Sequence, residues 1–275
     1  MSIFEAIFLG VVQGLTEFLP ISSSGHLVLF RQLFGIDVEG TLFDTMLHMG
    51  TLVAVFVVLR KDIWEILKKI IQPTTLFLII GTIPAVIAAL AFRGWLNTAF
   101  ETGNYIGFAF LGTSALLVAA ELLSKRAVAQ SPRKPGEMNW LDALIIGLCQ
   151  AVAVIPGVSR SGATLSGALS RGLNRDFAAR FSFMLSIPII LGATVFHSLE
   201  LVGADEVASA ADVAGAGIGP LAIVVGTITA GIVGFFAVRL MLKIVREKSL
   251  WGFAIYTGIL GLLVLIDQFF VGLFF

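Results

Sequence analysis

Glu17, Ser23, His26 and Arg160 are the residues of this chain whose types and spacing could do chemistry. A carboxylate, a hydroxyl, an imidazole and a guanidinium form a set suited to phosphoryl transfer. The acid can hold a divalent cation, a serine or the imidazole can attack or shuttle protons, and the guanidinium offsets charge on phosphoryl oxygens. These residues lie in two related stretches. Gly10-Val-Val-Gln13 runs through Glu17 and Pro20 into Ser22-Ser23-Ser24-Gly25-His26, and Gly147-Leu-Cys-Gln150 runs through Pro156 and Gly157 into Ser159-Arg160-Ser161-Gly162. The two begin 137 residues apart, and in both, fifteen residues separate the first Gly from the Gly of the Ser-Gly pair. Each is a hydrophobic run broken at proline, ending in hydroxyls, glycine and one cationic or titratable side chain.

The rest of the chain must position these breaks, and composition says in what solvent. A hydrophobic fraction of 57%, a charged fraction of 13% and a mean hydropathy of +0.98 exclude an ordinary soluble domain. Thr74 to Phe92, Tyr105 to Ala120, Phe181 to Leu199, Pro220 to Val238 and Trp251 to Ile266 carry no Asp, Glu, Lys or Arg. Each has about the length that crosses a ~30 Å hydrocarbon core, the shorter two with help from flanking residues. The expected class is an all-α polytopic membrane protein. Met-Ser-Ile-Phe-Glu lacks a basic n-region, so no cleaved signal peptide is expected. The single cysteine, Cys149, excludes an internal disulfide. Membrane lipids are expected partners, a homodimer is an open one, and nucleic acid is not expected.

The duplication extends past the breaks. Phe43-Asp-Thr-Met46-Leu47 matches Phe181-Ser-Phe-Met184-Leu185, Gly81-Thr-Ile-Pro-Ala85 matches Gly226-Thr-Ile-Thr-Ala230, and Ile106-Gly-Phe-Ala109 matches Trp251-Gly-Phe-Ala254. The chain reads as one membrane domain, 1–275, with halves of about 1–130 and 140–275 and a polar linker over about 124–140. Each half holds a broken region followed by three spans, which predicts about ten helices. Three is odd, so if the broken regions dip in and return, the second half is inverted relative to the first. Charge agrees: regions 60–73, 124–140, 171–180 and 239–249 fall on one side and carry 15 of the 18 basic residues. The other side has Arg31, Arg93 and an acidic loop with Glu200, Asp205, Glu206 and Asp212. Positive-inside bias makes the basic side cytoplasmic, so the 1–36 element enters from outside and the site opens there.

Backbone that leaves helical form at membrane depth must be buried in protein or line a polar cavity. Two re-entrant tips from opposite faces should therefore meet, as in inverted-repeat transporters. Helix N-termini near Ser23 and Ser161 would aim N–H groups at the meeting point, and Arg160 adds a fork of donors suited to phosphate. Gly25, Gly157 and Gly162 allow close approach of backbone to a ligand. Gln13 and Glu17 share a helix face. Asp44 and His48, four apart, either line the same cavity or cap and pack between helices. Glu121, Asp142, His197 and Asp267 lie near span ends and are expected at the interface.

The stretches Gly10-Val-Val-Gln-Gly-Leu-Thr-Glu17-Phe-Leu-Pro-Ile-Ser-Ser-Ser-Gly-His26 and Pro156-Gly-Val-Ser-Arg160-Ser-Gly-Ala-Thr164 resemble the two signature motifs of the undecaprenyl-diphosphate phosphatase (bacitracin-resistance) family. The resemblance covers essentially the whole chain. It implies a bacterial inner-membrane enzyme with re-entrant helix pairs in an inverted repeat. It also implies magnesium- or calcium-dependent removal of the terminal phosphate from undecaprenyl diphosphate. By resemblance, Glu17, Ser23, His26 and Arg160 are catalytic, and Ser22, Ser24, Gly25, Gly157, Ser159, Ser161, Gly162 and Thr164 lie in phosphate-binding stretches. The family writes Glu or Gln where this chain has Gln13, an amide that can ligate a metal with Glu17 but cannot act as a base. The nucleophile stays open between Ser23, His26 and water. Ser-Ser-Gly-His also resembles a motif of the type 2 phosphatidic acid phosphatases, but their accompanying motifs are absent from the sequence. The competing class is a transporter or flippase for a polyprenyl phosphate or another anion.

Overall fold

A computed structural model describes residues 1–36, 41–102, 105–128, 132–203 and 218–274, and these are helical apart from short turns and an isolated bridge between Arg133 and Leu173. The helices are α1 (Ile3–Thr16), α2 (Ser23–Phe34), α3 (Thr41–Val58), α4 (Arg60–Lys68), α5 (Pro73–Ala91), α6 (Arg93–Thr102) and α7 (Ile106–Val128). After the linker come α8 (Trp140–Val152), α9 (Arg160–Ser170), α10 (Arg175–Gly203), α11 (Pro220–Glu247) and α12 (Trp251–Ile266). The expected acidic loop with Asp205, Glu206 and Asp212 lies outside the described residues, as do the side chains of Glu200 and His197.

Among the described residues, five helices are long and apolar enough to cross a membrane: Pro73–Ala91, Ile106–Ser124, Arg175–Phe196, Pro220–Glu247 and Trp251–Val271. They coincide with the five uncharged segments of the sequence, and the chain is a multi-pass membrane protein. Ile79, Leu90, Ile228, Phe236 and Leu262 are exposed on them, as lipid-facing side chains must be. α3 and α4 form a further apolar pair bent by 78°.

Local sequence explains where helices start. Ser2 and Glu5 close a capping box on α1, and Asn139 and Asp142 close the equivalent box on α8. Pro73 and Pro220 occupy the first turn of α5 and α11, where a missing N–H costs nothing.

Packing is by small residues, as expected where lipid removes the hydrophobic drive between helices. α1 lies along α11, and α8 lies along α5. A methyl added at Gly10 would sit 2.6 Å from the carbonyl oxygen of Gly226, and one at Gly147 would sit 2.8 Å from that of Gly81. Thus each helix that leads into a break rests on a glycine of a full span. Phe18, just past the end of α1, is buried and packs edge-on against Phe183 of α10 at 5.4 Å.

Two acids near the ends of spans are buried in ion pairs. Asp142 is 0% exposed and takes Arg133 Nη2 at 2.8 Å and Arg171 Nε at 2.8 Å. Glu121 is also buried and accepts from Arg175 and from the backbone N–H of Leu250, both at 2.7 Å. The sequence hides this because the partners come from other elements. Asp142 ties the linker, through Arg133, to the end of α9, through Arg171. Asp142→Asn leaves two guanidiniums short of a counter-charge. With both arginines about a third exposed, the expected loss is about 2–3 kcal/mol, read as a lowered thermal midpoint in detergent.

Candidate active site

The two breaks, Glu17–Ser22 and Ala153–Ser159, face each other. Contacts across them are specific: the N–H of Gly157 donates to Ser24 Oγ at 3.2 Å, and Ser161 Oγ donates to the carbonyl of Leu19 at 3.0 Å. Ser22 and Ser159 cap the helices that follow. Their hydroxyls accept from the N–H groups of Gly25 and Gly162 at 3.2 and 3.1 Å. The second helix starts one residue earlier than the sequence suggests, at Arg160, because Ser159 supplies the cap. Gly157 has φ 85, the left-handed region that its missing Cβ permits.

Glu17 is the hub. It follows the last residue of α1, is 7% exposed, and gathers four side chains. Its Oε1 accepts from Arg160 Nη2 at 2.5 Å. Its Oε2 accepts from Ser23 Oγ at 2.7 Å and from Gln13 Nε2 at 3.0 Å. His48 Nε2 lies 3.5 Å from the same oxygen, while His48 Nδ1 donates to the carbonyl of Asp44 at 2.8 Å. Of Asp44 and His48, it is His48 that approaches the Glu17 cluster. Asp44 pairs with Arg31, whose Nη1 donates to Oδ2 at 3.0 Å.

Two polar atoms here are buried without a partner: Oε1 of Gln13 and Nη1 of Arg160. An orphaned acceptor next to a carboxylate and an orphaned guanidinium nitrogen beside a capped helix start are each costly to bury without a partner. Gln13 Oε1, the Glu17 carboxylate and Ser23 Oγ are all hard oxygen donors, the kind that magnesium and calcium take. Among the described residues no group of three His, Cys, Asp or Glu could hold a metal. With a single carboxylate among them, these donors would hold such a cation only together with oxygens of a bound ligand.

His26 stands apart from this hub. It is 2% exposed, its Nδ1 lies 2.6 Å from the carbonyl oxygen of Ser22, and its Nε2 lies 2.8 Å from the Tyr256 hydroxyl of α12. Thr164 also turns away from Glu17. Its hydroxyl donates to the carbonyl of Arg160 at 2.9 Å and meets Ser182 Oγ at 2.5 Å, so it steadies the first turn of α9. Thr113 of α7 accepts from the N–H of Ser159 at 3.0 Å. Thr113, Ser182 and Tyr256 escape a reading of the sequence, since each sits in an apolar span with no local signal. Ser182 alone has a hint, being the repeat counterpart of Asp44.

A multi-pass helical membrane protein with a buried acid, hydroxyls and an arginine gathered at two helix breaks defines the class. The chain belongs to the bacitracin resistance protein BacA family, whose family model matches residues 6–263. It is 42% identical over 269 residues to a protein of Carboxydothermus hydrogenoformans named undecaprenyl-diphosphatase, covering 98% of each chain. It is 42% identical over 271 residues to undecaprenyl-diphosphatase 4 of Bacillus thuringiensis subsp. konkukian, again covering 98% of each. A protein of Halothermothrix orenii, also named undecaprenyl-diphosphatase, is 40% identical over 270 residues, with 97% of this chain and 98% of that one covered.

Proposed function

We infer that this chain is an integral membrane undecaprenyl-diphosphatase, which removes the terminal phosphate of undecaprenyl diphosphate and so returns the lipid carrier to cell-wall synthesis. The family and the full-length relatives support the activity. The observation that carries it to this site is the Glu17 cluster, with an acid, a hydroxyl and a half-engaged guanidinium within one contact of each other.

Ser23 is the nucleophile in this reading, because its Oγ already donates to Glu17 whereas both ring nitrogens of His26 are engaged. Ser23 Oγ attacks the terminal phosphorus and passes its proton to Glu17. The bridging P–O bond breaks and its electron pair leaves with the polyprenyl phosphate. Water then attacks the phosphoserine, the Oγ–P bond breaks, Ser23 recovers the proton from Glu17, and the phosphate leaves with both protons of the water. Arg160 turns its free Nη1 to the phosphoryl oxygens, a planar fork bridging acid and phosphate. Ser22, Ser24, Gly25, Gly157, Ser159, Ser161 and Gly162 shape the phosphate cradle, and Thr164 supports it from behind through Arg160. Gln13 and Glu17 would hold magnesium or calcium, which when bound neutralises charge on the diphosphate.

The halves are proposed to be inverted repeats with re-entrant pairs α1–α2 and α8–α9. Sequence-matched glycines support this by meeting crosswise, Gly10 on Gly226 and Gly147 on Gly81. The site is proposed to open to the outer face of the bacterial inner membrane. Cysteines at Lys68 and Asp205 test the sidedness. Impermeant reagent should label Asp205→Cys in intact cells and spare Lys68→Cys, and the reverse pattern would overturn it.

The function is tested in cells. Overproduction of the chain should raise bacitracin tolerance of a bacterial host, and Glu17→Ala made to the same level should not. Equal tolerance from both would point to binding or transport of a polyprenyl phosphate in place of hydrolysis.

A further inference from the structure

Ser22 is strained. Among the described residues it is the only one other than glycine with positive φ, at 73. A serine held there costs about 1–3 kcal/mol and persists only where its surroundings impose it. The turn matters because the next two residues are Ser23, against Glu17, and Ser24, against Gly157.

The Ser22 hydroxyl caps Gly25, and its carbonyl accepts from the backbone N–H of His26 at 3.2 Å and, more closely, faces Nδ1 of the same residue at 2.6 Å. A carbonyl oxygen only accepts, so Nδ1 of His26 carries the proton, and in the neutral ring Nε2 is then an acceptor. The group placed to donate to Nε2 is the Tyr256 hydroxyl at 2.8 Å. Tyr256 also stacks on the imidazole, with centroids 5.7 Å apart and planes at 15°, while Phe110 of α7 meets its edge at 5.2 Å. A Cβ at Gly25 would lie 2.8 Å from Phe110 Cζ, which fixes how close α2 sits to that wall.

We propose that Tyr256 is a positioning residue for phosphoryl transfer. Its hydroxyl and ring hold His26 as a strut between α12 and the Ser22 carbonyl, and the strut maintains the strained turn that presents Ser23. This deepens the phosphatase reading and rests on it. It assigns His26 a mechanical role, and it makes α12, at the far end of the chain, part of the reaction's geometry.

Tyr256→Phe removes the donor and keeps the stack. In this variant kcat on undecaprenyl diphosphate should fall about tenfold with KM unchanged, the size of one lost hydrogen bond at about 1.4 kcal/mol. A second readout is independent of turnover. The protein has three histidines, so nitrogen-15 imidazole spectra of His26, assigned with His48→Gln and His197→Gln, report its tautomer. The wild type should show His26 with the proton on Nδ1 and an Nε2 resonance displaced by the hydrogen bond it accepts, and Tyr256→Phe should keep the tautomer while moving Nε2 to the position of an unbonded imine nitrogen. An Nε2 resonance unchanged in Tyr256→Phe, or a shifted one with wild-type kcat, overturns the proposal. Absence of phosphate release from the wild type would instead sink the phosphatase reading, and the spectra would still decide whether the strut exists.

Discussion

Glu17→Gln should lower kcat on undecaprenyl diphosphate by about 10³-fold while the protein remains folded. The substitution keeps the shape and removes one charge, yet that charge is what the site is built on. Ser23 loses the acceptor for its proton, a contribution of about 10²–10⁴ in rate. Arg160, whose side chain is 14% exposed, loses its only ion-pair partner among the described residues and is left partly buried. Gln13 and His48 lose the oxygen they approach. The variant should also lose any dependence on magnesium or calcium in its residual activity. Turnover within about threefold of wild type would remove Glu17 from the reaction and leave it a structural counter-charge to Arg160; a catalytic base supplies far more than that.

Arg160→Lys should cost about 10²–10³ in kcat, the range seen when one preorganised donor to a developing oxyanion is removed. The reason is geometric. One guanidinium nitrogen holds Glu17 at 2.5 Å while the other is buried and free. An ammonium is a single point charge and cannot bridge acid and phosphate in one plane. Fold and helix start should survive, since Ser159 caps α9 whatever the next side chain. Wild-type turnover in Arg160→Lys would contradict the bridging role, and phosphate-release kinetics at saturating lipid decide it.

What the sequence made legible here follows from range. The breaks could be located because Pro20, Pro156, the glycines and the serine caps act within a few residues, and both breaks lie where those signals put them. The five spans were legible because lipid imposes uninterrupted apolar runs. Glu17 and Ser23 stood out as candidates six residues apart, but their hydrogen bond emerges only from the turn between them. The Glu17–Arg160 pair spans 143 positions and could be anticipated only because the repeated motif suggested that two tips meet. Partners without a motif stayed hidden, Thr113 behind Ser159 and Tyr256 behind His26, while Ser182 behind Thr164 had only its repeat match to Asp44. Glu121 and Asp142 read as interfacial because each is a lone acid near the end of an apolar run. Burial became tolerable only when Arg175, Arg133 and Arg171 arrived from elsewhere. Asp44 and His48 needed the fold to separate them, one to Arg31 and the other to Glu17.

The most direct measurement is phosphate release from undecaprenyl diphosphate by the purified protein in detergent, with magnesium or calcium and then with chelator, alongside Glu17→Ala and His26→Ala. Metal-dependent release of one phosphate per lipid, abolished in Glu17→Ala and strongly reduced in His26→Ala, is the expected result. No release by well-folded wild-type protein with either cation would contradict hydrolysis at the paired breaks and leave them as a site that binds a diphosphate without cleaving it.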